Sequence, residues 1–328
     1  MSEGRFEVAT PEAPDASGGE VFPLVFECRS PAAGLGEALA WIGGERAALD
    51  ARLRRHGALL FRGFPVASDL DFDAVIRAFG YENFTYAESL SNAVRVSRTE
   101  RVFTANEAPP SATIRLHHEM AQTPIHPSRL FFFCERPADV GGATSLCRSD
   151  WLFAELERRC PAFARDCEEQ GLLYSLVMPP HDDPESAMGR SWRSTFGVET
   201  REAAEERMRR LEYDWEWSAD ECLRTTTPVL PAVRELGPGR KSFFNQLIAA
   251  LAWKDRRNDP SRAVTLGDGR PLDPAAWNTV VELAEALSID LEWQRGDVAL
   301  VDNFVVMHGR RSFQGTRQVL ASLVAADA

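Results

Sequence analysis

The chain has 328 residues, 44% of them hydrophobic and 26% charged, with a formal net charge of −12. That length supports one large domain or two small ones around a sizeable core. The negative balance argues against a general nucleic-acid binder, which needs a basic footprint, and against adhesion to anionic membranes.

Residues 1–20 are polar, rich in Gly, Ala, Pro and acids, and are expected to form a flexible tail; they lack the basic start and apolar stretch of a secretory signal. No apolar run approaches the roughly 18 residues of a membrane span, so a cytoplasmic protein is expected. The six cysteines (28, 134, 147, 160, 167 and 222) form no Cys-x-x-Cys pair and read as free thiols in a reducing compartment.

Apolar residues at helical spacing predict a helix over 33–56, ending at His56-Gly57. Ala58-Leu59-Leu60-Phe61 reads as a buried strand, and residues 69–79 as a helix with Ser68 as N-cap. From 92 to 148 short apolar segments are broken by Pro and Gly, with strands predicted at Val94–Val96, Leu130–Cys134 and Ala143–Cys147. Residues 149–240 are mixed, with helical patterns at Asp150–Arg159 and Glu199–Leu211 around the Pro-rich passage Met178–Pro184. Such an insert is expected to be a lid or substrate-binding region. Strands return at Ser242–Gln246, Leu291–Trp293, Asp297–Asp302, Val305–His308 and Val319–Val324, with a helix over 274–287. The texture suggests an antiparallel sandwich or barrel and one domain over 21–328, and there is no Gly-x-Gly-x-x-Gly or Walker loop for a nucleotide.

Leu116-His117-His118-Glu119-Met120 carries the strongest chemical signal. If this stretch is extended, His117 and Glu119 share one face and His118 points the other way. A lone His-x-Glu pair is common, and a third ligand must come from elsewhere. Of the remaining histidines (56, 126, 181 and 308), His308 is the best candidate, since it ends an apolar strand just before Gly309-Arg310-Arg311. Two histidines and one carboxylate, with positions left open, make the facial triad of non-heme Fe(II) oxygenases. Gly141-Gly142-Ala143-Thr144 lies downstream of Glu119, Trp293-x-x-Gly296-Asp297-x-x-x-x-Asp302-Asn303 precedes His308, and Gly315-Thr316-Arg317-Gln318-Val319-Leu320 follows it.

In this order, from about residue 55 to 325, these motifs resemble the Fe(II)- and 2-oxoglutarate-dependent dioxygenases of the taurine dioxygenase (TauD/TfdA) type. The resemblance implies a mainly β protein with flanking helices, built on a double-stranded β-helix (jelly-roll, cupin-like) core with a mixed α/loop insert. It implies His117, Glu119 and His308 as iron ligands. Arg317 would bind the distal carboxylate of 2-oxoglutarate, with the Thr144 hydroxyl sharing it. O₂ is the other co-substrate, and no catalytic side chain is needed beyond the metal centre. An arginine fork suits a carboxylate, and a threonine hydroxyl can donate a further hydrogen bond.

Within that family, His-His-Glu-Met, Phe-Phe-Phe-Cys-Glu-Arg-Pro, Ser191-Trp192-Arg193 and Phe244-Asn245-Gln246 resemble the syringomycin-pathway hydroxylase branch. This implies hydroxylation of an unactivated C–H of an amino acid, free or carrier-bound, in specialised metabolism. Desaturation, cyclisation or epimerisation at the same iron is the alternative, and a non-catalytic jelly-roll binding protein is a remote one. Two departures matter. Ala321 stands where taurine dioxygenase has the arginine that holds the sulfonate, which argues against taurine and similar substrates. The carboxylate is Glu119 rather than the commoner aspartate, and its presence argues against halogenation.

Arg193, Asn106, Gln122 and Asn245 are candidates for substrate contacts, each with a plain structural reading beside it. Arg310 and Arg311 read equally as co-substrate or substrate contacts and as turn-stabilising charges. Arg201, Arg207, Arg209 and Arg210, mixed with acids, read as a solvated helix face, with docking of an acidic carrier protein as the alternative. The expected partner is a small-molecule substrate, with neither nucleic acid nor membrane.

Overall fold

The computed structural model describes residues 6–9, 21–84, 89–90, 95–105, 108–183, 186 and 189–324. The chain begins with β1 (Phe6–Val8), β2 (Leu24–Cys28), α1 (Leu35–His56), β3 (Ala58–Arg62) and α2 (Asp69–Phe79). It continues through β4 (Phe103–Thr104), β5 (Ile114–His117), β6 (Arg129–Arg136), β7 (Val140–Gly141) and β8 (Thr144–Arg148). The next stretch holds α3 (Ser149–Arg159), α4 (Pro161–Gln170), β9 (Leu172–Met178), α5 (Trp192–Phe196), α6 (Arg201–Arg210), β10 (Asp214–Trp217), β11 (Leu223–Thr226), β12 (Arg234–Gly237) and β13 (Arg240–Ser242). Then come α7 (Leu247–Ala250), α8 (Pro260–Ala263), β14 (Val264–Leu266), α9 (Pro274–Ala286), β15 (Ile289–Leu291), β16 (Val298–Asp302), β17 (Val306–Arg310), β18 (Phe313–Gln314) and β19 (Gln318–Val324).

A seven-stranded sheet, ordered β1-β2-β3-β16-β6-β19-β4, is layered with a four-stranded sheet, β15-β8-β17-β5. Every named strand pair is antiparallel except β2 with β3. Alternation along β6 explains the layering. Leu130, Phe132 and Cys134 share a core with Leu146 and Val306 of the smaller sheet. Phe131 and Phe133 point the other way, into a core closed by Ile42, Leu49 and Leu53 of α1 and Phe72, Val75 and Ile76 of α2. Both faces of β6 are thus covered, which is why its sequence reads as an unbroken apolar run. Each fully buried Phe contributes about 1.5–3 kcal/mol. On the outer face of the smaller sheet, Cys147 and Met307 pack under α3, α4 and α9. This is the mainly β, jelly-roll core with flanking helices that the motifs imply.

The helix signals hold locally. Ser68 accepts from the Asp71 amide and Asp71 returns to the Ser68 amide, a capping box that starts α2. Gly57 ends α1 at φ 75°, where a Cβ would lie 2.7 Å from Val306 Cγ2.

Several elements differ from expectation. Phe6–Val8, in the stretch expected to be a tail, pairs with β2 because Phe6 finds an aromatic niche between Trp41 and Phe64. Val94 lies outside the described residues, and Arg95 and Val96 form no strand. Ser242–Gln246 is not a strand: β13 ends at Ser242, and the Asn245 side chain accepts the Leu247 amide, turning the chain into α7. The 149–240 segment divides between two roles. Its α3 and α4 belong to the core over the smaller sheet. Its β9, β10 and β11 join β14 in a separate four-stranded sheet. No helix of the described residues is long and apolar enough to cross a membrane.

Candidate metal centre and co-substrate pocket

His117 closes β5 and His308 lies within β17, and the ladder makes them direct partners. Their rings therefore face each other, with centroids 4.3 Å apart. Glu119 is not on the strand. β5 stops at His117, and Glu119 sits in a turn made by Met120 at φ 59°. A non-glycine residue in that region is strained, and Met120 is held there by burial. The extended-strand geometry thus gives way to a turn that still brings the carboxylate to the histidines. Ligand atoms of His117, Glu119 and His308 all lie within 4.8 Å of one another, and His308 Nε2 is 3.6 Å from Glu119 Oε2.

The turn is fixed from behind by Asn303, which is fully buried. Its Oδ1 accepts the Glu119 amide at 2.8 Å, and its Nδ2 donates to Glu119 O at 3.0 Å and Pro127 O at 2.7 Å. His118 points away from the triad. Its Nδ1 is bonded to the Asn303 carbonyl and its ring packs 4.9 Å from Phe244.

The donor set fits a divalent metal. His117 Nδ1 is bonded to Arg115 O at 2.8 Å, which directs Nε2 inward, and His308 Nδ1 is buried with no partner. Desolvation, with His308 adding to it, pushes the His117 pKa down to about 4, so the ring is a neutral ligand at ordinary pH. Burial opposes ionisation of Glu119. Arg95, the His308 hydrogen bond and His117 outweigh it and hold the carboxyl well below its usual range.

The triad lines a cavity of about 370 Å³, whose wall also includes Thr144 and Arg317. Arg317 Nε donates to Gly142 O at 2.8 Å, and its Nη2 lies 3.3 Å from Thr144 Oγ1, which also accepts from Trp293 Nε1 at 2.9 Å. Gly142 is needed here, since at φ 75° any Cβ would sit 3.0 Å from Arg317 Cδ. Burial, then the neighbouring Arg310, pushes the Arg317 pKa down to about 10. Among the described residues no carboxylate pairs with this cation, and a bound one would supply the counter-charge.

The substrate candidates separate clearly. Gln122 lines the cavity, with Oε1 buried and unpartnered. Arg193 does not reach it: it stacks 4.2 Å over Trp192 and donates to the carbonyls of Pro180 and Glu199. Asn245 is buried, bridging Ala232 O and the Leu247 amide. Arg311 is a surface charge paired with Glu285 and Asp290. Asn106 lies outside the described residues. Arg310 lines the cavity but is committed to the carbonyls of Ala108, Pro109 and Ala112, clamping that loop. Among the described lining residues none comes from 149–240; residues of 105–122 and 246–253 join those of β6, β8, β17 and β19 in the walls. On α6, Arg201 pairs with Glu221, Arg209 and Arg210 pair with Glu206, and Arg207 binds Phe196 O, as a solvated face would.

Arg95, Asn303 and Trp293 are functional neighbours to which sequence reasoning gave no role. Arg95 Nη2 is 2.8 Å from Glu119 Oε1. Only the Trp293 and Asn303 motif positions gave any prior signal.

A facial triad on a jelly roll, sharing one cavity with an arginine–threonine pair, is the outline of a non-heme iron dioxygenase. The profile of the "Taurine catabolism dioxygenase TauD, TfdA family" matches residues 32–323, and the chain belongs to that family. It is a 2-oxoglutarate-dependent non-heme iron dioxygenase, using Fe(II), 2-oxoglutarate and O₂. It is 43% identical over 277 residues to a clavaminate synthase-like protein of Arabidopsis thaliana, covering 84% of this chain and 83% of that one. It is 28% identical over 290 residues to the dapdiamide synthesis protein DdaC of Enterobacter agglomerans, covering 84% of each. Among solved structures, PvcB from Pseudomonas aeruginosa shares the fold, with a TM-score of 0.53 and 15% identity over 99% of this chain and 92% of that one.

Proposed function

We propose that the enzyme hydroxylates an unactivated C–H of an amino acid or amino-acid-derived small molecule in specialised metabolism. The observation that carries the reading is the single cavity lined by the triad together with Arg317 and Thr144. His117, Glu119 and His308 would hold Fe(II), which when bound supplies, with 2-oxoglutarate and O₂, the oxidising chemistry needed to break the C–H bond. Arg317 and Thr144 would orient the distal carboxylate of 2-oxoglutarate. Phe132, Met120, Val319 and Ala321 give the cavity an apolar wall that limits water around the reacting carbon. Gln122 offers its amide to the substrate. No side chain of this set acts as nucleophile or general base.

The amino-acid reading is supported by the resemblance to DdaC, named for dapdiamide synthesis. Six free cysteines are in keeping with a cytoplasmic setting. The test is succinate formation with Fe(II), 2-oxoglutarate and a panel of amino acids, free and carrier-tethered, followed by product mass. A gain of one oxygen supports hydroxylation. A loss of two hydrogens or an unchanged mass points instead to desaturation, cyclisation or epimerisation at the same centre. A panel in which no amino acid raises succinate formation above the substrate-free rate overturns the reading.

A further inference from the structure

Among the described residues the segment 149–240 lines none of the metal cavity, yet it builds a second pocket against it. In β9, Tyr174, Leu176 and Met178 alternate onto one face, and Thr225 of β11 is the direct partner of Leu176. Thr195 and Phe196, at the end of α5, line the same pocket. Its wall also includes Gln122 and Trp253, and these two side chains line the metal cavity as well. The two spaces therefore adjoin, and Gln122 stands only three residues beyond Glu119 of the triad.

The second pocket measures about 30 Å³. A water needs roughly 10–15 Å³ of such space, so the pocket takes one small group and not a whole molecule. Two of its polar atoms are buried with no hydrogen-bond partner: Gln122 Oε1, which accepts, and Thr195 Oγ1, a hydroxyl that donates or accepts. The two residues are 9% and 5% exposed. Such atoms cost stability when left alone, and they mark a place for a group that supplies the bond. Tyr213, a phenol that burial keeps protonated, adds a further hydroxyl to the wall. Among the described residues this wall holds no Asp, Glu, Lys or Arg, so an ion would give up its water for no counter-charge. A neutral group that both donates and accepts suits both atoms: its N–H gives to Gln122 Oε1, and its C=O takes from the Thr195 hydroxyl.

We infer that this pocket is a distal subsite for a neutral carboxamide at the tip of the substrate, reached past Gln122 and Trp253 from the metal cavity. This rests on the proposed use of the metal cavity, with the reacting carbon at the triad and the tip away from it; it does not require an α-amino group.

The test is calorimetric titration of the Mn(II)- and 2-oxoglutarate-loaded enzyme with matched sets that end in a carboxamide, a carboxylate or a hydrocarbon of the same shape. Asparagine, aspartate and leucine form one set; glutamine, glutamate and homoleucine form another, used also without the α-amino group. In the wild type the carboxamide of a set is expected to bind at least about 10-fold tighter than its acid and its hydrocarbon. Thr195→Val keeps the shape and removes the hydroxyl. It should raise the Kd for carboxamides about 3- to 10-fold and that for hydrocarbons less than about twofold. Its urea midpoint should match the wild type, since the hydroxyl has no partner in the fold to lose. Deaminated carboxamides that bind while the amino acids do not would keep the subsite and remove the amino-acid reading. Amino acids that bind with no preference among the three ends would keep that reading and overturn the subsite. Three further results overturn it: carboxamides and hydrocarbons weakening together in Thr195→Val, a loss of stability in that variant, which would mean that water ties its hydroxyl into the fold, or no carboxamide binding the wild type.

Discussion

His117 and His308 are paired residues of one antiparallel ladder, the last residue of β5 opposite the third of β17, with ring centroids 4.3 Å apart. The ladder, more than either side chain, sets the spacing of the metal centre. His308→Ala or Glu119→Ala is therefore expected to weaken Mn(II) or Fe(II) binding by at least about 100-fold, beyond the usual effect of changing a ligand's supporting residue. Succinate formation should be lost with it. His118→Asn should behave differently. It removes a buried ring that faces Phe244, costs about 2–3 kcal/mol of stability, and leaves a measurable metal site. Titration of the three variants with Mn(II) checks this, and tight binding in His308→Ala alongside none in His118→Asn would reverse the ligand assignment.

Asn303 holds the Glu119 turn through bonds to the Glu119 amide, the Glu119 carbonyl and the Pro127 carbonyl. Truncation leaves all of these buried groups without that partner. Asn303→Ala should lose about 2–4 kcal/mol in a urea unfolding experiment. Because this turn sets the backbone from which Glu119 reaches the histidines, metal affinity should fall as well, by about 10- to 100-fold. Normal metal affinity in a destabilised Asn303→Ala would mean that Glu119 is held by other contacts.

Parts of this architecture could be read from the chain because their causes are local. The apolar run Leu130–Cys134, the Ser68 cap and the close pair His117 and Glu119 each carry their signal within a few residues. What escaped depends on tertiary partners. Arg95 meets Glu119 across 24 residues of sequence, with β4 and β5 lying between them. Arg193 was drawn to Trp192 and backbone carbonyls and away from the cavity. β10, Asp214-Trp215-Glu216-Trp217, does alternate polar and aromatic residues, so that strand had a signal. Composition marks the 149–240 insertion but not the surface it covers, and in the structure its α3 and α4 pack over the smaller sheet.

Arg317 and Thr144 share one hydrogen bond, with Trp293 bonded to the same hydroxyl. If they hold the distal carboxylate of 2-oxoglutarate, the two residues should differ in weight. Arg317→Lys loses the bidentate fork and should raise the KM for 2-oxoglutarate about 10- to 100-fold. Thr144→Val removes one neutral donor and should raise it about 3- to 10-fold. Metal affinity without 2-oxoglutarate should stay near wild type in both. Steady-state succinate formation against 2-oxoglutarate concentration measures the effect, and a Thr144→Val loss larger than that of Arg317→Lys would contradict the assignment.

Buried thiols should make the fold sensitive to alkali. Burial, with Asp297 adding to it, pushes the Cys134 thiol up to about 12. Burial and then Asp166 push Cys167 up to about 12 as well. Cys147, buried with Asp150 nearby, is raised further. A thiol in the unfolded chain titrates near about 8.5. Below that pH the thiols are protonated in both states, and their contribution to stability is fully present. Between about 8.5 and 12 the unfolded chain releases protons that the folded protein keeps, so stability falls as pH rises. Each such thiol adds up to about 1.4 kcal/mol of loss per pH unit. Urea unfolding of the wild type and of the combined Cys134→Ala, Cys147→Ala, Cys167→Ala variant from pH 8 to 10 isolates this slope from other titrating groups. The variant starts lower, because its core is underpacked, but should decline less steeply. Parallel curves would mean that the thiols ionise in the folded protein and that the core around β6 and β8 admits water.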